Sequence, residues 1–125
     1  MIVGIGCDIV SHQRIGALLT RFGERFAHKI LAPSELSLWR SHPSPVNYLA
    51  KRFAAKEAFA KAVGTGFRDG LFLKHIAVTN NTAGMPSLVL EDKALQLSKE
   101  KNVSQWHLSL SDEKEVSLAF VVLTT

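Results

Sequence analysis

The stretch RFAAKEAFAKAVGTG, residues 52–66, places Glu57 and Lys61 four positions apart, so on a helix they lie one above the other on a single face. Alone, such a pair is an ordinary surface contact worth about 0.3 kcal/mol. Ala50, Ala54 and Ala58 share the strip, and small side chains let another backbone or a ligand come close to the two charges. The run then breaks at Gly64-Thr65-Gly66, which reads either as a helix stop or as a turn whose N–H groups meet a phosphate. Asp8, near the end of the stretch IVGIGCDIV, reads either as a cap between a strand and a helix or as a metal ligand. Mg²⁺ typically takes one or two protein carboxylates and completes its shell with phosphate oxygens and water, a minimum that Asp8 and Glu57 together would supply. Lys61, one turn from Glu57, would then meet the phosphate oxygens.

Elements able to hold these groups are readable along the chain. In the first strand, period-two alternation sets Val3, Ile5, Cys7 and Ile9 on one face and Gly4, Gly6 and Asp8 on the other, and Cys7 reads as a buried core residue rather than a nucleophile. Ser11 can cap a helix running through Arg14 towards Thr20, with Gly23 interrupting it before ERFAHKIL; Pro33 and Ser34 open a short segment ending near Arg40. The next helix starts at Ser44 and Pro45 and runs to about Val63, with Gly64 ending it and Leu49, Phe53 and Val63 supplying core contacts. LKHIAVTNN, MPSLVL, WHLSLS and VSLAFVVL read as strands, EDKALQLSKEKNV as a helix between the second and third of these, and residues 112–115 as the turn of a terminal hairpin. Early helices and late, mostly antiparallel strands predict one α+β domain over residues 1–125.

At these residues the chain resembles a known family. GIGCDIV, RFAAKEAFAKAVGTG and HLSLSDEK are similar to the corresponding segments of the holo-acyl-carrier-protein synthases, the small 4′-phosphopantetheinyl transferases, and the likeness covers essentially the whole chain. The resemblance implies Mg²⁺-dependent transfer of 4′-phosphopantetheine from coenzyme A to a serine of apo acyl carrier protein, in fatty acid biosynthesis, releasing adenosine 3′,5′-bisphosphate. It implies Asp8 and Glu57 as metal ligands, Lys61 on the diphosphate, Arg52 on the 3′-phosphate of coenzyme A, and Gly64, Thr65 and Gly66 bordering the nucleotide. It places His107 at the family's active-site histidine, and it implies a homotrimer with active sites between subunits. In place of the second histidine of the pattern HxSxSH the chain has Asp112, so no role of that histidine carries over. For the base that takes the serine proton, Glu57, Asp8 and a metal-bound water remain open, with Glu57 the leading choice.

Charge and composition bound the partners. Lys and Arg total 15 against 11 Asp and Glu, a net charge of +4 that suits an acidic partner: nucleic acid, a phosphate compound or an acidic protein. Arg14, Arg21 and Arg25 fall within about one helix face if the helix continues past Gly23, and the resemblance assigns that face to the acidic recognition helix of the carrier, with Phe22 and Phe26 adding apolar contact. A nucleic-acid module is disfavoured, because the chain has no C-x-x-C finger, no aromatic RNA-binding strand and no dense Lys/Arg stripe. No run approaches transmembrane length, and the apolar N-terminal stretch lacks a basic leader, so no membrane association is expected. A lone cysteine excludes an internal disulfide framework and Cys-based metal sites and fits a reducing cytoplasm.

Overall fold

The structure, a computed structural model, describes residues 1–68 and 70–125. Strand β1 (Ile2–Ser11) leads into helices α1 (His12–Phe22), α2 (Glu24–Ile30), α3 (Pro33–Arg40) and the long α4 (Pro45–Val63). A single 3₁₀ turn (Leu73–His75) precedes β2 (Ile76–Asn80) and β3 (Pro86–Leu90); α5 (Asp92–Glu100) then leads to β4 (Gln105–Asp112) and β5 (Val116–Thr124). Strands β1, β5 and β4 pair antiparallel in that order, and β2 and β3 form a separate antiparallel ribbon. The α+β class is as the sequence predicts. Two boundaries differ: Leu73–His75 turns before the strand begins at Ile76, and α5 stops at Glu100 rather than reaching Val103.

Helix α4 is the centre of the domain. It packs against β1 and β5 on one side and against α1, α2, α3 and β2 on others, so Leu49, Ala50, Ala54, Ala55, Ala58 and Phe59 are all fully buried. A helix buried on most of its circumference belongs to the core rather than the surface. Its start is set by Pro45 at the first turn, although the Ser44 hydroxyl makes no capping bond; the Ser44 N–H instead donates to His42 Nδ1 at 2.9 Å. Gly64 ends it in the left-handed conformation, φ 84°, a geometry that a side chain would strain.

The contact between β1 and α4 depends on two glycines. A Cβ at Gly6 would lie 1.9 Å from the carbonyl oxygen of Ala58, and one at Gly4 would lie 2.0 Å from that of Ala62. Only glycine permits this approach, so the room left by the alanine strip is filled by a strand backbone rather than by a ligand. The consequence reverses the expected core face of β1. Val3, Ile5, Cys7 and Ile9 point away from α4, with Ile5 58% and Ile9 63% exposed, and Cys7 is exposed rather than buried. Register pairs Ile5, Cys7 and Ile9 with Val122, Phe120 and Leu118, giving the outer sheet face a continuous apolar strip. The glycine face packs inward because close backbone approach to α4 outweighs what the bulkier face would bury at a larger separation.

Candidate active site

With Gly4 and Gly6 seated on α4, Asp8 is the next residue on the same face of β1 and comes to the Glu57–Lys61 edge of the helix. Lys61 Nζ donates to Asp8 Oδ1 at 3.0 Å and to the Cys7 carbonyl at 2.9 Å. That hydrogen bond, together with the charges of Asp8 and Glu57, raises the Lys61 pKa and keeps the ammonium form. Glu57 is half-buried, and burial followed by the neighbouring Asp8 carboxylate pushes its pKa up, against the opposing pull of Lys61 and Arg14. Two carboxylates beside one hydrogen-bonded lysine form a site with negative charge to share, and its hard oxygen donors suit Mg²⁺. Among the described residues no group of three or more His, Cys, Asp or Glu gathers as a metal site.

The sequence-derived candidates separate into those brought together and those held apart. Asp8, Glu57 and Lys61 converge, and Arg14, at the start of α1, acts electrostatically on Glu57. Arg21 is exposed and covers the ring of Phe22 at 5.0 Å. Gly23, at φ 63°, divides α1 from α2, so Arg25 belongs to a second helix and the three arginines do not share one continuous helical face. Instead Arg25 lines a cleft of about 270 Å³ with Leu18, Phe22, Phe26 and Lys29.

The turn after α4 is a helix stop in which two of the three N–H groups are already used. Gly64 N donates to the Lys61 carbonyl at 3.0 Å and Gly66 N to the Ala60 carbonyl at 3.2 Å, while the Thr65 hydroxyl donates to the Gly66 carbonyl at 2.9 Å. His107 lies on the outer sheet face with Ser109 and Ser111, as the alternation predicts. Its register partner is Val122, which pairs with Ile5, whereas Asp8 pairs with Ala119 on the inward face. His107 is thus two strands and one sheet face away from Asp8 within a single chain. Asp112 anchors the end of β4 to α4, accepting from Asn47 Nδ2 at 3.1 Å and pairing with Lys51 at 3.4 Å. Those partners, the Asn47 hydrogen bond foremost, hold its carboxyl below the usual range.

Arg52 occupies another part of α4. Five residues from Glu57 is about 140° around a helix, and the Arg52 guanidinium stacks on Tyr48 at 3.5 Å and donates to Asn80 Oδ1 at 3.2 Å. It borders a cavity of about 530 Å³ whose lining also includes His42, Lys51, Asn80 and Asp112. Beneath it lie two residues that the sequence reading did not single out. Lys56 is completely buried, donating to Glu35 Oε1 at 2.5 Å and to the Ile30 carbonyl at 2.6 Å. A signal was available: Arg52 and Lys56 are like charges at i and i+4 on a buried helix and therefore demand a carboxylate from elsewhere.

An α+β domain that brings two carboxylates and a lysine to one open edge, and a stacked arginine to a separate cavity, is an enzyme scaffold for an anionic, phosphate-bearing substrate. The family model for the 4′-phosphopantetheinyl transferase superfamily matches residues 4–121. A holo-[acyl-carrier-protein] synthase of Hamiltonella defensa is 48% identical over 122 residues, spanning 98% of this chain and 97% of that one. The crystal structure of a Neisseria meningitidis holo-[acyl-carrier-protein] synthase superposes with a TM-score of 0.94 at 48% identity, with all of both chains covered. A Helicobacter pylori holo-[acyl-carrier-protein] synthase, solved in complex with coenzyme A, gives a TM-score of 0.83 at 29% identity, covering 96% of this chain and 99% of that one. The chain belongs to the holo-acyl-carrier-protein synthases of the 4′-phosphopantetheinyl transferase superfamily.

Proposed function

We propose that the chain transfers 4′-phosphopantetheine from coenzyme A to a serine of apo acyl carrier protein, releasing adenosine 3′,5′-bisphosphate, as a Mg²⁺-dependent enzyme serving fatty acid biosynthesis in the cytoplasm. The observation that carries the reading is the convergence of Asp8, Glu57 and Lys61 in a chain whose full-length relatives are holo-acyl-carrier-protein synthases. The serine oxygen forms a bond to the β-phosphorus, the bond from that phosphorus to the bisphosphate breaks, and the serine proton passes to a base. Charge grows on the diphosphate oxygens as this happens, and the Lys61 ammonium, fixed by Asp8 and the Cys7 carbonyl, faces it without having to reorganise. Glu57 is the base, because it would sit beside both the metal and the serine nucleophile, and burial with the Asp8 carboxylate raises its proton affinity. Asp8 and Glu57 hold Mg²⁺, whose charge, when bound, adds to that of Lys61 on the diphosphate.

The remaining assignments follow the faces of the fold. Arg52 meets the 3′-phosphate of coenzyme A, and Gly64, Thr65 and Gly66 border the nucleotide by their shape, since two of their N–H groups are spent on capping α4. Arg14, Arg21 and Arg25 attract an acidic carrier, and the Arg25 cleft receives an apolar side chain. Arg52 and His107 stand away from Asp8, Glu57 and Lys61 in one chain, and the outer sheet face exposes Ile5, Ile9 and Phe120. A homotrimer that buries this face and completes each site between copies accounts for both facts. No helix among the described residues is long and apolar enough to cross a membrane.

The test is a Mg²⁺ titration of turnover with wild type, Asp8→Asn and Glu57→Gln. A chelator should abolish wild-type turnover, added Mg²⁺ should restore it, and Glu57→Gln should remain about 100-fold or more below wild type at saturating metal. Near-normal turnover of Glu57→Gln at saturating Mg²⁺ overturns its role as base.

A further inference from the structure

Lys29, one turn beyond Arg25 on α2, lines two clefts: the one it shares with Arg25, and a second of about 540 Å³ between α2 and the residues that follow the Gly64–Gly66 turn. Phe67, Leu71 and Phe72 give the second cleft an apolar floor, and Lys29 and Lys74, both exposed, give it charge. His28 also lines it, but His28 Nε2 accepts from Arg40 Nη2 at 3.4 Å, so the positive charge of the cleft comes from the two lysines. Phe72 is 58% exposed, yet its backbone is fixed. Its carbonyl accepts from the His75 N–H at 3.0 Å and its own N–H donates to His75 Nδ1 at 3.3 Å. The His75 carbonyl in turn accepts from the Glu91 N–H at 2.9 Å, and the His75 ring meets that of Phe72 edge-on with centroids 5.5 Å apart. An exposed aromatic ring held by a hydrogen-bonded turn is ordered before anything covers it, which lowers the entropy cost of binding there.

We propose that this second cleft extends the docking face for the acyl carrier protein: an apolar side chain of the carrier covers Phe72, and acidic residues beside it meet Lys29 and Lys74. The occupant follows from the lining. Two lysines over an aromatic floor suit an acidic protein surface with an apolar side chain in it, whereas a nucleic acid would leave the floor uncovered. Lys29 joins the two clefts, so an acidic partner seated at Arg25 continues onto the second without crossing a neutral gap. This inference rests on the reading of α1 and α2 as the face that attracts an acidic carrier.

The experiment measures KM for apo acyl carrier protein and KM for coenzyme A in wild type, Phe72→Ala and Lys74→Glu, together with amide hydrogen exchange of the wild-type enzyme with and without the apo carrier. At low salt both variants should raise KM for the carrier by about threefold to tenfold and leave KM for coenzyme A near that of wild type. The effect of Lys74→Glu should fade as salt rises, and that of Phe72→Ala should persist. The carrier should slow exchange at residues 70–75. An unchanged KM for the carrier in both variants, or no slowing at residues 70–75, overturns the inference. If Arg14→Glu and Arg25→Glu still raise KM for the carrier in that case, the docking reading of α1 and α2 stands without the second cleft; if they do not, that reading falls as well. A raised KM for coenzyme A with KM for the carrier unchanged gives the cleft to the other substrate and overturns the inference. Slowing at residues 70–75 that grows with enzyme concentration and needs no carrier gives it to a second copy of the chain, and overturns it too.

Discussion

The two charged clusters on α4 use the same residue types to opposite ends. At one edge Asp8, Glu57 and Lys61 lie near solvent, with 53% of the Lys61 side chain exposed, and two carboxylates face one hydrogen-bonded lysine. On another face Glu35, Lys56 and Arg52 are buried, and two cations face one carboxylate that is fully hydrogen-bonded. On the proposed function, the first cluster keeps anionic capacity for a metal and the second keeps cationic capacity for a phosphate. The comparison teaches that a salt bridge on this helix is informative for what it leaves unpaired, and that burial decides how much each pair matters to folding.

The widest separation between the clusters should be in stability. Lys56→Ala or Glu35→Ala leaves a buried charge without its partner and should cost about 3–5 kcal/mol in urea unfolding, whereas Lys61→Ala should cost about 1 kcal/mol or less. Equal losses would erase the distinction. Catalysis should show the reverse order: Lys61→Ala should lower kcat by about 100-fold to 1,000-fold, measured at saturating coenzyme A and carrier, while leaving the urea midpoint near that of wild type.

Acid titration sharpens the contrast further. The raised pKa of Glu57 means the folded chain holds that proton more tightly than the unfolded chain does. The stabilisation is therefore present below the ordinary carboxylate range and is lost as pH rises through the elevated folded-state value. At neutral pH and without metal, ionised Glu57 weakens the fold, so Glu57→Gln should raise the melting temperature. The gain should vanish when both proteins are compared below the ordinary carboxylate range. A neutral-pH gain that persists at low pH would point to packing rather than charge. The smallest effect is at the surface: Arg14→Glu or Arg21→Glu should weaken the apparent affinity for carrier protein at low salt and approach wild type as salt rises. Unchanged affinity at low salt removes those arginines from the docking face.

Much of this was legible because it is written locally. Ser11, Pro45 and Gly64 carry their own reasons for starting or stopping a helix, and the β4–β5 hairpin follows from alternation either side of a polar turn. The site's centre was legible for the same reason, since Glu57 and Lys61 are one turn apart and Asp8 ends a glycine-lined strand face. Which face of β1 points inward was not, because alternation defines two faces but does not say that Gly6 will touch Ala58. Arg52 is close to Glu57 in sequence, and that adjacency obscures the rotation separating them. Glu35 and Lys56 are 21 positions apart, and their pairing depends on how α3 packs against α4. His107 and Asp8 fall on opposite sheet faces, so a single chain does not bring them together.

The most direct test of the central claim is the intact mass of an apo acyl carrier protein after incubation with this enzyme, coenzyme A and Mg²⁺. The account predicts a gain of one 4′-phosphopantetheinyl group per carrier, dependent on the carrier serine, lost with chelator and strongly reduced in Asp8→Asn. No gain with any apo carrier, or a full gain in the presence of chelator, would contradict it.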